Sequence, residues 1–379
     1  MSKKILFNIT EDWFFCSHFL QRALAAKKTG YKVYVCCNHN KHKSTIESYG
    51  IKIFHVPYLR KNINPFFEFL ILLKIIFVYF SIKPDLVHHV AAKPIIYGSI
   101  AAKICRIRAV LNAPVGLGFV FTSKRIKAKF LRPILKVLMK SFLNTHHGEN
   151  KTNKVVFENN DDLNFFFNLG ALRRTDACVI RGAGVKINKL VIKKKSSKIV
   201  IVTLVARMIE DKGIYEFVAA AKKIKKKNTN VRFLLVGDVD KQNPSSLNKK
   251  TLIFWNKRKI IEWLGWVDNV NEVLEQTDVL CLPSYREGLP KALLEGAARG
   301  LPIVTTDTVG CRDVVEDGLN GFLVPVRNID QLALKIEELV KDNLLREKMG
   351  KESFKLAKNK FSEEIINTQT LEIYNELTN

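Results

Sequence analysis

The chain of 379 residues carries 62 Lys and Arg against 36 Asp and Glu, a formal net charge of +26 at neutral pH. Its length exceeds the ~250–300 residues at which single cores stop growing, so two domains are expected. An apolar content of 47% with 26% charged residues excludes wholesale disorder. The positive charge is unevenly placed: residues 1–190 hold 31 basic and 10 acidic side chains, whereas residues 191–379 hold 31 and 26. Residues 86–148 contain eleven Lys or Arg and no carboxylate. One half should therefore face an anion: a nucleic acid, a phosphate-rich ligand or an acidic membrane surface.

In chain order, residues 4–9 predict a strand and 15–28 a helix ending at Gly30. The two lysines at positions 3 and 4 precede too short an apolar run for a signal peptide. Strands follow at 31–37, 51–57, 86–90, 110–113, 154–157 and 178–181. The apolar stretch 66–82 is interrupted by Glu68 and Lys74 and falls short of the ~20 residues that span a bilayer. It is expected to lie on a surface rather than cross. Polar and basic residues over 184–197 predict an interdomain linker. The rhythm then restarts, with strands at 198–205, 231–237, 261–264, 279–282, 303–306 and 321–324. Helices are expected at 214–226, 330–341 and 344–358, with a closing helix after Ser362. Continuous apolar strands between helices indicate parallel sheets covered on both faces, so the fold class is α/β with two doubly wound domains. Such a pair would place a ligand in a cleft between the carboxyl ends of both sheets. The seven cysteines include no C-x-x-C pair and sit mostly in apolar runs, which predicts reduced buried thiols.

The stretch Pro283-Ser284-Tyr285-Arg286-Glu287-Gly288-Leu289-Pro290-Lys291 follows a predicted strand and opens a helix. Free backbone N–H groups at a helix start bind anions, above all phosphates. Glu295 falls among Ala292, Leu293, Leu294, Ala297 and Ala298, where an ionised carboxylate needs partners and a ribose diol would supply two hydrogen bonds. Glu287, in the loop before that helix, can point at a bound ligand. The plainer alternative is a capped helix with two solvated glutamates. Arg207 and Lys212 flank a strand-to-helix loop five residues apart and can converge on one pyrophosphate.

These motifs resemble the donor domain of the retaining GT-B glycosyltransferases of family 4: the Arg207…Lys212-Gly213 pair, the Val236-Gly237-Asp238 strand end, the Leu282–Gly288 loop and two glutamates eight positions apart. The resemblance implies a nucleotide-sugar donor, retention of anomeric configuration, and no cofactor or metal. It assigns Arg207 and Lys212 to the pyrophosphate, the amides of Gly288 and Leu289 to the diphosphate loop, Glu287 to the donor sugar and Glu295 to the ribose. The first half is similar to a narrower branch, the transferases that extend polyprenyl-diphosphate-linked sugars for O-antigen, lipopolysaccharide or capsule. The pieces that carry this likeness are residues 11–18, 88–98, 116–121 and 157–162. The glycine-rich turn many relatives carry after the first strand is absent, and His88-His89 stands where many have His-x-His.

The resemblance therefore implies an acceptor domain over 1–183, the linker over 184–197, a donor domain over 198–361 and the closing helix over 362–379. His18, in the first helix after the first strand, and His88, at the carboxyl end of the fourth strand, are candidate catalytic groups, with a core or capping histidine as the alternative for each. Lys93 is a candidate for the acceptor diphosphate, and Gly116 and Gly118 for a flap over sugar or lipid. Basic residues interleaved with apolar ones over 124–142, together with 66–82, suit an anionic membrane surface. The implied setting is cytoplasmic and peripheral, on the inner face of the cell membrane. No nucleic-acid motif appears. The implied activity is transfer of an N-acetylhexosamine such as GalNAc from a UDP donor to an undecaprenyl-diphosphate-linked sugar. A soluble transferase acting on lipid A core or a small molecule, or a non-catalytic sugar-nucleotide-binding module, are the alternatives.

Overall fold

Apolar, β-branched runs alternate with helix-length segments along the chain, and the computed structural model resolves this alternation into two parallel sheets. It describes residues 2–58, 64–115, 133, 137–141, 143, 152–188, 199–227, 230–240 and 243–379. The chain divides into one unit of Met1–Ala183 with Glu363–Asn379 and a second of Gly184–Ser362.

The first unit contains β1 (Lys4–Glu11), α1 (Asp12–His18), α2 (Leu20–Lys28), β2 (Lys32–Asn38), α3 (Lys43–Ser48), β3 (Lys52–His55), α4 (Pro65–Ile82), β4 (Leu86–Val90), α5 (Ala92–Ile104), β5 (Ala109–Ala113), β6 (Thr152–Phe157), α6 (Asn160–Asn168) and β7 (Ala177–Val179). Its strands pair in parallel in the order β3-β2-β1-β4-β5-β6-β7. All five residues of β4 are buried, as a strand covered on both faces requires. Two expectations are corrected at the start of this unit. The helix expected over 15–28 is two helices, broken where the Phe19 ring packs beside Phe7 (6.3 Å between centroids) and His88 (5.5 Å). The strand expected at 4–9 and the helix expected from 15 are not separated by a loop: β1 runs to Glu11 and α1 begins at once, with buried Asp12 accepting the amide N–H groups of Asn40 (2.6 Å) and His42 (2.9 Å).

The second unit contains β8 (Val200–Val205), α7 (Ile214–Lys227), β9 (Val231–Val236), α8 (Lys249–Lys257), β10 (Glu262–Gly265), α9 (Val270–Gln276), β11 (Val279–Leu282), α10 (Lys291–Ala298), β12 (Ile303–Thr306), β13 (Gly321–Val324), α11 (Ile329–Lys341) and α12 (Asn343–Lys360). The parallel order is β10-β9-β8-β11-β12-β13. Helix α7 shows how these elements are specified: Ile214, Phe217, Val218, Ala221 and Ile224 recur at helical spacing and are buried, while Lys225, Lys226 and Lys227 end the helix where its dipole favours cations. Residues 189–197 of the expected linker lie outside the described residues. On its near side, Val185 N–H donates to the Phe361 carbonyl (2.8 Å), so the chain enters and leaves the second unit side by side. The last helix, α13 (Glu363–Thr378), belongs to the first unit.

In each sheet the strand order reverses once, between β1 and β4 and between β8 and β11. Doubly wound sheets bind ligands outside the carboxyl ends of their strands at such a reversal.

Candidate active site

The loops that follow β8 and β11 meet at the reversal of the second sheet. After β8 the chain makes a tight turn, with Ile209 N–H on the Arg207 carbonyl (2.8 Å) and Lys212 N–H on the Ile209 carbonyl (3.1 Å). The loop after β11 is stitched to it: Tyr285 N–H (2.8 Å) and Ser284 Oγ–H (3.0 Å) both donate to the Asp211 carbonyl. On its other side, Glu287 N–H donates to the Val309 carbonyl (3.1 Å) and Thr308 Oγ1–H to the Tyr285 carbonyl (2.9 Å). Three glycines permit this closeness. A Cβ on Gly213 would fall on the Pro283 carbonyl oxygen, one on Gly237 on the Ala206 carbonyl oxygen, and one on Gly310 on the Gly288 carbonyl oxygen. All three also have positive φ.

The stitching brings Lys212 and Glu287 together. Lys212 Nζ lies 2.5 and 2.6 Å from the two Glu287 carboxylate oxygens, with both side chains largely buried. Arg207 Nη1 lies 2.6 Å from Asp240 Oδ2, a partner that sequence spacing gave no signal for. Each cation is therefore held against a carboxylate, and a diphosphate could replace both carboxylates as counter-ion. Glu295 sits one helical turn after Lys291, 3.5 Å from its ammonium. Burial raises the Glu295 pKa above the usual carboxylate range, opposed by Lys291. The Cys311 thiol is pushed up to about 12, first by burial and then by the nearby Glu287 charge, so it stays protonated. Gly288 and Leu289 lead into the α10 N-terminus, and the buried Leu289 side chain anchors that backbone. Tyr285 is a further element of the loop: its hydroxyl donates to Glu216 Oε1 (2.8 Å), and the Arg327 guanidinium lies 4.4 Å from its ring centre. Burial and the Glu216 contact push its phenol up to about 12.

The first unit treats its candidates differently. Successive residues of a strand point to opposite faces, so His88 and His89 separate. His88 is 1% exposed, packed beside Phe7, Phe19 and Tyr374, with Nδ1 2.8 Å from the Tyr374 hydroxyl. Its Nε2 has no hydrogen-bond partner among the described residues. Burial, Arg22 and His89 hold its pKa well below the ordinary 6.5. His89 stacks on Tyr79 and bonds its hydroxyl through Nε2 (2.9 Å), while Nδ1 meets Asn112 Oδ1 (2.9 Å); burial lowers it to about 4. Of the two readings of His88, a catalytic group at the end of its strand or a core histidine, the structure gives the second: the ring is buried in the core. His18 ends α1 with its ring 4.3 Å from that of Phe14. Lys93 is paired with Glu68 (2.5 Å), which also accepts from Tyr97 (2.6 Å). Gly116 and Gly118, like most of the basic stretch 124–142, lie outside the described residues.

Sequence reading missed Ala91, at the carboxyl end of β4 and the reversal of the first sheet. Its backbone stands at φ 79°, ψ 166°, a region essentially reserved for glycine, while its N–H still donates to Ala113 (3.0 Å). Ala91→Gly should relieve that strain and stabilise the protein by about 1 kcal/mol in urea unfolding, because the relief exceeds glycine's entropy cost. A loss of stability would show that the conformation is not strained.

Comparison with known proteins follows the same two-part division. The family model "Glycosyl transferases group 1" matches residues 186–356, and "Glycosyl transferase 4-like" matches residues 4–144. The chain is 28% identical over 363 residues to N,N'-diacetylbacillosaminyl-diphospho-undecaprenol alpha-1,3-N-acetylgalactosaminyltransferase of Campylobacter jejuni, covering 91% of each chain. It is 28% identical over 312 residues to UDP-Gal:alpha-D-GlcNAc-diphosphoundecaprenol alpha-1,3-galactosyltransferase of Escherichia coli, covering 78% of this chain and 76% of that one. The structure of Anabaena HepE in complex with UDP-glucose superposes with a TM-score of 0.76 at 20% identity, covering 99% of this chain and 100% of that one.

Proposed function

Because the chain belongs to the GT-B glycosyltransferases, joining a glycosyl transferase 4-like domain to a group 1 domain, we propose that it moves an N-acetylhexosamine such as GalNAc from a UDP donor to an undecaprenyl-diphosphate-linked sugar. The observation that carries the donor assignment is the Lys212–Glu287 pair at the reversal of the second sheet. In this reading Arg207 and Lys212 take the donor diphosphate, with the amides of Gly288 and Leu289, and no metal is needed. Glu295 takes the ribose. Glu287, released from Lys212, takes the donor sugar. The acceptor hydroxyl forms its bond to the anomeric carbon on the face from which the phosphate leaves, and its proton passes to the departing phosphate oxygen. Configuration is retained. Two cations set against the developing diphosphate charge stabilise it as it forms. The first unit supplies the acceptor site, with Lys93 available to a diphosphate once Glu68 releases it and His18 beside it in role; buried His88 takes no step. The polyprenyl chain of such an acceptor places the work at the anionic inner face of the cell membrane.

The test is a donor screen followed by mass spectrometry, with synthetic polyprenyl-diphosphate-GlcNAc and -GalNAc as acceptors and a chelator in a parallel arm. One UDP-N-acetylhexosamine should give a product heavier by that sugar, at an unchanged rate with chelator. Product from a GDP-sugar alone would refute the donor assignment, and UDP release without acceptor product would refute transfer.

A further inference from the structure

Helix α4 carries two faces with different occupations. Its start is well specified, with Pro65 at the first position and the Asn64 side chain accepting the Phe66 amide. One face, with Ile71, Ile75, Val78, Tyr79 and Ile82, packs into the core beside Leu6, Val87 and Ala101. The other presents Phe66, Phe69, Leu70, Leu73, Phe77 and Phe80, all exposed, with Phe66 at 65% and Phe80 at 68%. At 3.6 residues per turn these six share an arc of about 100°. A helix on a water-facing surface carries polar residues there. An apolar stripe of this extent marks an interaction surface.

The charges around the stripe select the partner. Glu68, the one carboxylate of α4, is buried and bonded to Lys93 and Tyr97. The ammonium groups of Lys74 and Lys83 lie 5.7 and 5.8 Å from the ring centres of Phe77 and Phe80. The exposed face is thus aromatic, edged by cations and free of acid. A second copy would set lysines against lysines, whereas an anionic leaflet offers acyl chains to the rings and phosphates to the ammonium groups. The 18 residues reach about 27 Å, close to the thickness of the hydrocarbon core. Spanning would strip Ile75 and Tyr79 from the sheet, so the helix must lie in the membrane plane.

We propose that α4 docks the first unit on an anionic bilayer, with Phe66, Phe69, Phe77 and Phe80 in the headgroup–acyl boundary and Lys74 and Lys83 at the lipid phosphates. This deepens the reading of a lipid-linked acceptor and rests on it for its purpose. The inward side of the same helix holds the region after β4: Tyr79 bonds His89, and Glu68 binds Lys93 and Tyr97 of α5. Docking therefore fixes the acceptor-side strand end relative to the leaflet.

The test compares the parent protein, Phe69→Ser/Phe77→Ser and Leu344→Ser, an exposed residue of the second unit, by co-sedimentation with phosphatidylcholine/phosphatidylglycerol vesicles and with phosphatidylcholine vesicles alone. The parent and Leu344→Ser should bind the anionic vesicles, and the double variant at least about tenfold more weakly. Transfer to a short-chain, water-soluble acceptor should be unchanged in the double variant, while transfer to a full-length acceptor in vesicles should fall with binding. Undiminished vesicle binding by the double variant would overturn the proposal. So would a parent dimer that the double variant converts to monomer, which would assign the stripe to a second copy. Loss of vesicle binding supports docking even if no donor gives transfer, which separates this inference from the functional one.

Discussion

Glu287→Gln should bind UDP several-fold more tightly than the parent protein while losing at least about a hundredfold in transfer rate. The two effects have opposite signs because the carboxylate has two partners at different stages. Without donor it neutralises Lys212 through contacts of 2.5 and 2.6 Å. UDP must displace it, and it must then stand near the anionic diphosphate. The amide removes that competition and that repulsion, which favours binding. It also removes the charge proposed to act on the donor sugar, which slows transfer. Lys212→Ala should lose both, because the diphosphate then keeps only Arg207 of its two proposed cations. Calorimetric titration with UDP beside a radiolabelled-sugar assay separates the cases. Equal or weaker UDP binding by Glu287→Gln would show that the pair does not gate the donor.

Gly213→Ala should destabilise the second unit by about 3 kcal/mol or more and weaken UDP binding in parallel, whereas Gly318→Ala should cost only about 1 kcal/mol. The two glycines have similar positive φ, 69° and 77°, so the penalty for a left-handed φ applies to both. They differ in surroundings. A methyl group at Gly213 meets the Pro283 carbonyl oxygen and lies 2.8 Å from the Pro283 Cγ, but one at Gly318 meets nothing within 4 Å. Backbone cannot give way as a flexible side chain does, so the loop carrying Glu287 must retreat from the turn carrying Lys212. Urea unfolding of both variants, with UDP titrations, measures the difference. Equal losses would mean that the loops are not held by this contact.

The fold was legible where burial is complete. Strands β4, β11, β12 and β13 stand where the sequence predicts them; the first three are buried at every residue, and the polar side chains they carry, such as His88 and Thr305, are covered with the rest. The break at Phe19 was not, because only the position of Phe7 and His88 on neighbouring strands explains why the chain turns that ring inward. The candidate site was legible as residue types but not as partners. Lys212 and Glu287 are 75 residues apart, and their pairing depends on β8 and β11 being neighbours at the sheet reversal. Asp240 follows a different strand again. The adjacent histidines were ambiguous for a geometric reason: the pleat sends one toward Tyr374, 286 residues away, and the other toward Tyr79, only 10 residues away on the preceding helix.

Helix α13 bears on how the protein comes off the ribosome. Its Tyr374 covers His88, Asn375 accepts from Tyr31 (2.8 Å) and Glu376 meets Lys154 (2.5 Å), so the sheet made first lacks one wall until residues 363–379 have been synthesised. The second unit, continuous from Gly184 to Ser362, has no such wait. The order of completion is the reverse of the order of synthesis. During that interval the unfinished first sheet and the aromatic stripe of α4 are exposed together.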